Sequence, residues 1–207
     1  MNEKPIIFSG PMIRAILDGT KTQTRRIAKL NASGRVKEVG SPRNWHCGDP
    51  NAIEACPFGK VGSHLWVRES FQYESTTGEY EFDLKKCIVR YKATEPDAGP
   101  WMNAEDEESY AWRPSIHLPR WASRITLEVV RVRLERLQGI TEEDAIAEGI
   151  DEDGEEYAEG ERLQSAGSPQ SPFRYAFVSL WNSINGKRGF SWAANPYVWA
   201  LTFKRLQ

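Results

Sequence analysis

The sequence has few cysteines and no long run of apolar residues. With only three cysteines in 207 residues, no disulfide framework is expected, and the chain is predicted to be cytoplasmic. The mean hydropathy of −0.59 and the shortness of every apolar run argue against a transmembrane helix. The first residues lack a basic stretch followed by an apolar core, so no secretory signal is expected either. With 40% hydrophobic and 27% charged residues, the composition is instead typical of a folded globular domain.

The net charge of −2 hides a strong asymmetry along the chain. Residues 1–68 carry 11 basic and 5 acidic side chains, whereas residues 141–161 carry 11 acidic and no basic ones. Residues 162–207 carry 6 basic and no acidic side chains. The near-neutral total therefore does not exclude a polyanionic partner such as RNA, although a solvated acidic loop between ordinary basic surfaces has the same pattern.

Apolar periodicity predicts an α+β domain dominated by strands. Helical spacing predicts helices at Ser9–Asp18, at Thr141–Glu148 and from Ser171 onward. Alternation predicts strands at His64–Tyr73, within residues 79–93, at Ser123–Leu137 and at Pro196–Leu206. The alternation slips by one residue near Val129, which predicts a β-bulge there.

The segments between these elements predict a single domain, residues 1–207, with long insertions. Residues 31–62, 95–114 and 151–170 are rich in Gly, Pro, Ser, Asn or acidic residues and show no sustained period. We expect all three to be mobile insertions, because they offer few apolar anchors.

The turn after the first helix, Gly19–Arg26, concentrates three cations and three threonine hydroxyls. A lysine beside a hydroxyl acts as its general base when burial or neighbouring cations lower the pKa of the amine. Lys21 and Thr24 are the candidates for this chemistry, and Arg25 and Arg26 for depressing that pKa or for binding phosphate. A solvated basic turn is the alternative that these residues leave open.

The pattern Gly19-x-Lys21-x-x-Thr24-x-Arg26 resembles the signature of the ASCH domain, a member of the PUA-like superfamily. Three further segments (LWVRE, WRPSIHLPRWASRI and NPYVWALTFKR) are similar to ASCH-like proteins of bacteriophages and prophages. The resemblance implies a mostly antiparallel PUA-like β-barrel with short flanking helices, whose cleft takes RNA or a modified nucleoside, and it implies neither cofactor nor metal.

The resemblance also implies an activity, because some small ASCH proteins are amidohydrolases that deacylate N4-acetylcytidine with a Lys, a Thr and a Glu. Lys21 and Thr24 match the first two, and Glu148, in Ile140-Thr-Glu-Glu-Asp-Ala-Ile-Ala-Glu148, matches the third. Thr24 would be the nucleophile, Lys21 its base, and Glu148 would orient Lys21 or protonate the leaving amine. A non-catalytic RNA or modified-base binding module and a metal-independent ribonuclease are the alternatives.

A second cluster of aromatic and cationic residues, Trp112–Arg124, has the composition of a stacking surface for bases. Its tryptophans have a competing role as lids over the core. Glu69 falls on the apolar face of its strand, as a buried or cavity-facing acid, and Arg68 either pairs with it or stabilises an oxyanion. The candidate binding residues are Arg25, Arg26, Arg68, Glu69, Trp112, Ser115, His117, Arg120 and Trp121.

A zinc site is only weakly indicated. His46, Cys47 and Cys56 would need a fourth ligand from His64 or Cys87, and the spacing between the first two cysteines is not that of a zinc finger. Unreactive thiols in a loop are the better interpretation, so no metal is predicted.

Overall fold

The computed structural model describes residues 3–37, 43–75, 87–96 and 112–206. The strands in this part of the chain are β1 (Glu3–Ile7), β2 (Gln23–Ile27), β3 (Arg35–Lys37), β4 (Asn44–His46), β5 (His64–Arg68), β6 (Phe71–Ser75), β7 (Cys87–Tyr91), β8 (Thr126–Arg136) and β9 (Tyr197–Arg205). The α-helices are α1 (Gly10–Asp18), α2 (Glu142–Ala147), α3 (Glu155–Ser165) and α4 (Pro172–Asn185). No described helix is long and apolar enough to span a bilayer.

Five strands form one mixed sheet in the order β1-β5-β8-β9-β2. Only β1 and β5 are parallel, and the other pairs are antiparallel. The predicted C-terminal strand is confirmed as β9, which pairs with β8 on one side and β2 on the other. The predicted bulge is also confirmed, since the register of β8 against β9 shifts between Val129 and Arg131.

The predicted barrel is not closed among the described residues. β1 and β2 are the two edges of the sheet and do not pair with each other. The chain turns from β1 directly into α1, and a side-chain bond from Arg26 NH2 to the Ile7 carbonyl (2.6 Å) spans the edges in place of a strand ladder. The class is therefore α+β with an open mixed sheet.

The helices predicted from apolar spacing are confirmed, with small differences in extent. Ile13 and Ile16 of α1 are buried against the main sheet cluster, and Gly19 ends the helix at φ 82°. Thr141 caps α2 by accepting from Asp144 N, and Ser171 caps α4 by accepting from Arg174 N.

The strand predicted at His64–Tyr73 is in fact two strands. β5 ends at Arg68 and β6 begins at Phe71, so Glu69 lies at the break between them. β6 pairs with β7 in a separate two-stranded sheet. The alternating pattern continues across the break, so the pattern does not predict where β5 ends.

Parts of the predicted insertions have regular structure. Within 31–62, β3 pairs with β4, and Val36, Ala52, Ala55 and Cys56 belong to the main apolar core. Within 151–170, α3 packs on α4, with Gly160 buried against Pro172 and Tyr157 edge-on to Phe173 at 4.8 Å. Most of 95–114, like residues 79–86 of the predicted strand segment, lies outside the described residues.

Candidate functional site

The turn after α1 lies against the end of α2. Thr22 N donates to Ala147 O at 2.9 Å, and Lys21 lies opposite Glu148 in an antiparallel bridge. The close approach needs a glycine at position 149, because a Cβ there would lie 2.6 Å from Lys21 Cβ and because its φ is +74°. Two segments 127 residues apart in the chain are thus fixed side by side.

Lys21 and Glu148 form a buried ion pair. Lys21 Nζ donates to Glu148 Oε2 at 2.8 Å and to the Glu148 carbonyl at 2.7 Å. Lys21 is only 2% exposed and Glu148 only 6%. Burial lowers the pKa of the Lys21 ammonium below its ordinary value, and the carboxylate of Glu148 opposes part of that effect.

Arg25 holds the second oxygen of the Glu148 carboxylate. Its side chain is fully buried and reaches Glu148 Oε1 at 3.1 Å. The same guanidinium donates to Gln23 Oε1 (2.7 Å), Glu135 Oε1 (2.8 Å) and Asp144 Oδ2 (2.6 Å). Arg133 completes the network by donating to Glu135 and Asp144. Helix α2, which carries Asp144 and ends next to Glu148, is thereby fixed to strands β2 and β8.

A cavity of about 260 Å³ lies beside this network, between β2 and α4. Thr24, 3% exposed, and Glu148 both line it. Its other lining residues are Met12, Arg25, Arg26, Ile27, Lys29, Phe177, Leu180, Trp181, Ile184, Asn185 and Arg188. Leu180 and Ile184 of α4 are among them, and Ile184 is 47% exposed. The cavity thus combines a hydroxyl, a carboxylate, aromatic surface and several cations.

Arg26 crosses from this cavity to the opposite edge of the sheet. Its guanidinium lies 4.9 Å from the centre of the Phe8 ring, and its NH2 bonds to the Ile7 carbonyl. Its Nε is buried and has no hydrogen-bond partner among the residues that the structure describes. A buried N–H without a partner is uncommon in folded proteins and is often satisfied by water or by a ligand.

The structure brings the three predicted catalytic residues into one region. Glu148 contacts Lys21 directly and shares the cavity with Thr24. Lys21 itself does not line the cavity, and its Nζ is paired with the Glu148 carboxylate. Glu148 is therefore the member of the pair that lines the cavity.

Glu69 and Ser115 lie at a different cavity, of about 580 Å³, which is also lined by the start of α1. Glu69 is buried as predicted, but its partner is Arg124, which donates from Nε and NH2 at 2.9 Å each. Arg68 does not pair with Glu69; it stacks on Trp66 at 4.6 Å. Of the residues predicted to bind substrate, Arg25 and Arg26 thus line the first cavity and Glu69 and Ser115 the second. The others line neither of these two cavities: Arg68, Trp112, His117, Arg120 and Trp121.

The Trp112–Arg124 segment is only partly a stacking surface. Trp121 is 57% exposed and stacks on Tyr73 at 5.9 Å, and Arg113 lies over the same Tyr73 ring at 5.1 Å. Trp112 is half-buried, and Arg120 is paired with Glu3 at 2.7 Å. His117 is exposed on a short 3-10 helix and lies outside the cavity that holds Thr24.

The thiols show no geometry for a metal. Among the residues that the structure describes, no three His, Cys, Asp or Glu side chains cluster closely enough to hold an ion. Burial raises the pKa of Cys56 to about 11, and Cys47 donates to the Gly34 carbonyl. Both are therefore poor thiolate ligands.

Sequence reasoning missed most of the residues around the pair. Glu135 and Arg133 belong to no motif, although they share one face of β8 by alternation. Asp144 lies within the segment that ends at Glu148, but nothing in that segment indicates its contact with Arg25. Lys29 and Arg188 are exposed cations without any distinguishing pattern, and only the packing of α4 along β2 brings them to one cavity.

No family model matches this chain, and no curated protein matches it. Two solved structures show a distant likeness. An ASCH domain from Lactobacillus crispatus JV V101 is 10% identical with a TM-score of 0.40, over 99% of this chain and 79% of that chain. A DUF984 protein from Enterococcus faecalis V583 is 9% identical with a TM-score of 0.40, over 100% of this chain and 80% of that chain. At this level of likeness, neither structure indicates what the present chain binds or acts on.

Proposed function

We propose that this protein is an amidohydrolase that removes the acyl group from an N-acylated cytidine or a similar nucleoside. The observation that carries the proposal is the buried Lys21–Glu148 pair, whose Glu148 lines the same cavity as Thr24. A hydroxyl beside a base that a third group orients is the general arrangement for acyl transfer.

In the proposed reaction, Thr24 Oγ1 attacks the acyl carbon while the Lys21–Glu148 pair accepts the hydroxyl proton. The C–N bond then breaks, the same proton passes to the leaving exocyclic amine, and an acyl ester remains on Thr24. Water, activated by the same pair, hydrolyses this ester and releases the carboxylic acid. The lowered pKa of Lys21 supports this role, because only the neutral amine is able to accept a proton.

The substrate class is supported by the cavity's lining and by the sequence motifs. Phe177 and Trp181 supply aromatic surface for a planar base. The volume of about 260 Å³ is near the lower end of the range for small-molecule sites, ~300–1,000 Å³, and suits a single nucleoside unit. The Gly19–Arg26 signature and the segment ending at Glu148 resemble those of the N4-acetylcytidine hydrolases among ASCH domains.

A non-catalytic binding module for RNA or a modified base is the second candidate, and one observation favours it. The Lys21 ammonium is completely buried and already donates to two oxygens of Glu148. A lysine that serves only to hold Glu148 in place would have the same geometry. A ribonuclease would need a base near a ribose hydroxyl, for which His117 or Lys21 is the candidate. This alternative gains no support, because neither residue lines the cavity of Thr24.

The test is incubation of the purified protein with a panel of N4-acylated cytidines, followed by chromatographic detection of cytidine. Release of cytidine is expected from wild type and not from Lys21→Arg, because a guanidinium stays protonated and does not act as a base. Thermal unfolding of Lys21→Arg serves as the control for folding. Binding of these compounds without turnover by the wild type would instead identify the binding module.

A further inference from the structure

The cavity between β2 and α4 is also lined by cations that lie beyond the ends of both elements. Lys29 comes two residues after the end of β2 and five residues after Thr24. Arg188 is the last residue of the short 3-10 helix Gly186–Arg188 that follows α4, eleven residues after Phe177. Phe177 lies beside Arg25, at 5.9 Å from its guanidinium, so both elements start from the same end.

The packing between β2 and α4 follows the same direction. Ile27, between Thr24 and Lys29, packs in the apolar cluster that contains Phe177 and Trp181. Ile184 and Asn185 come next along α4 and line the cavity before Arg188. Lys29 and Arg188 thus both line the cavity, and each follows Ile27 or Ile184 in the direction that leads along the chain away from Thr24 and Phe177.

These two cations are not neutralised by carboxylates in the part of the chain that the structure describes. Neither Lys29 nor Arg188 takes part in an ion pair there, and Arg188 only donates to Asn185 Oδ1 at 3.3 Å. Arg26, which also lines the cavity, has a buried Nε without a partner among the described residues. Glu148 is the one carboxylate that lines the cavity, and Lys21 and Arg25 already neutralise it.

We propose that Lys29 and Arg188 form a phosphate subsite, so that the ligand is a nucleotide with its base toward Thr24 and its phosphate between these two side chains. The base end rests on the proposed function, whereas the phosphate end rests on the charges alone. A phosphate offers several acceptor oxygens, and Arg and Lys are the side chains that bind it most often. The subsite would make the protein select a nucleotide over the free nucleoside.

Calorimetric binding of cytidine and cytidine 5′-monophosphate to the intact protein tests the subsite without requiring turnover. We expect the nucleotide to bind at least about tenfold more tightly than the nucleoside, with a preference that shrinks as salt is added. The double variant Lys29→Gln/Arg188→Gln is expected to lose that preference and to keep its affinity for cytidine. Lys187→Gln is the matched control, since Lys187 is exposed next to Arg188 and does not line the cavity.

Equal affinities for both compounds in wild type, or a preference that survives in the double variant, would overturn the proposal. A short oligocytidine, whose phosphates are diesters, tests whether the subsite binds a nucleic-acid chain. If the oligocytidine binds more tightly than the mononucleotide and the double variant loses this additional affinity, the subsite serves a nucleic-acid chain. If the protein prefers the nucleotide but hydrolyses no acylated compound, the phosphate subsite is supported and the proposed activity is refuted. If it hydrolyses an acylated compound but does not prefer the nucleotide, the proposed activity is supported and the subsite is refuted.

Discussion

Replacing Arg25 by Met should destabilise the protein severely, because this residue is the centre of the buried ionic network. Its fully buried guanidinium bonds to Gln23 and to three carboxylates, those of Glu135, Asp144 and Glu148. Removing one partner of a buried ionic group costs about 3–5 kcal/mol, because the remaining charges are left without compensation. At ~2–4 °C per kcal/mol for a chain of this size, the melting temperature should fall by roughly 6–20 °C.

The assay is thermal unfolding at neutral pH, with Arg162→Met as the matched control. Arg162 makes an equally short ion pair with Glu159 at 2.6 Å, but on the surface of α3, so its loss should not measurably change the melting temperature. Equal melting temperatures for wild type and Arg25→Met would refute the reasoning, because the network would then contribute nothing to holding α2 in place.

The same variant has a predicted pH dependence. Burial raises the pKa of Asp144, but hydrogen bonding by Arg133 and the charge of Arg25 outweigh it, so that its net pKa is lowered. A lowered carboxylate pKa gives stability that is present above the unfolded value and is lost as the pH falls through the folded value. The difference in stability between wild type and Arg25→Met should therefore narrow in acid.

Three further predictions concern the turn, the helix pair and the base. Gly149→Ala should destabilise the protein and reduce turnover, because its Cβ would lie 2.6 Å from Lys21 Cβ. Gly167→Ala is the control, since Gly167 has a similar positive φ but no atom within 4 Å of the added Cβ. If Gly167→Ala lost as much activity as Gly149→Ala, the account would be contradicted. Gly160→Ala should lower the free energy of unfolding, measured with a chemical denaturant, by about 1–3 kcal/mol, because its Cβ would lie 2.7 Å from Pro172 Cα and push α3 away from α4. An unchanged free energy of unfolding would mean that α3 does not pack on α4 at this point. The rate of cytidine release should rise with pH through the lowered pKa of Lys21, and the pH profile should have the same shape in wild type and Thr24→Ser. A rate that does not change with pH would exclude Lys21 as the base.

The sequence predicted the elements better than their assembly. The helix ending at Gly19, the bulge in β8 and the strand β9 depend on local spacing, and all three are present. Closure of a barrel depends on whether β1 and β2 meet, and no local pattern contains that information. The strong charge of residues 155–165 predicts a mobile acidic insertion, yet these residues form a helix that packs on α4 through a buried glycine and a tyrosine.

The candidate site was predictable only where a motif carried it. Lys21 and Thr24 are predicted from the cations and hydroxyls of the turn as well as from a resemblance, whereas Glu148 is predicted from the resemblance alone; the turn at Gly149 brings Lys21 to Glu148. The pairing of Glu69 with Arg68, one of two alternatives, is not found, because Glu69 lies at the break between β5 and β6, where Arg124 of a separate segment pairs with it and Arg68 stacks on Trp66 instead. That Lys29 and Arg188 line one cavity could not be predicted from the sequence, because it depends on how α4 packs near β2.

The most direct measurement of the central claim is the rate of cytidine release from N4-acetylcytidine by wild type, Thr24→Ser and Thr24→Ala, compared side by side. Thr24 is almost fully buried at the cavity wall, so replacing it by Ser or Ala changes little but the methyl and hydroxyl groups. The account predicts that Thr24→Ser keeps part of the rate and that Thr24→Ala falls to the uncatalysed rate, because only serine retains a nucleophilic hydroxyl. A Thr24→Ala protein that releases cytidine as fast as wild type would contradict it.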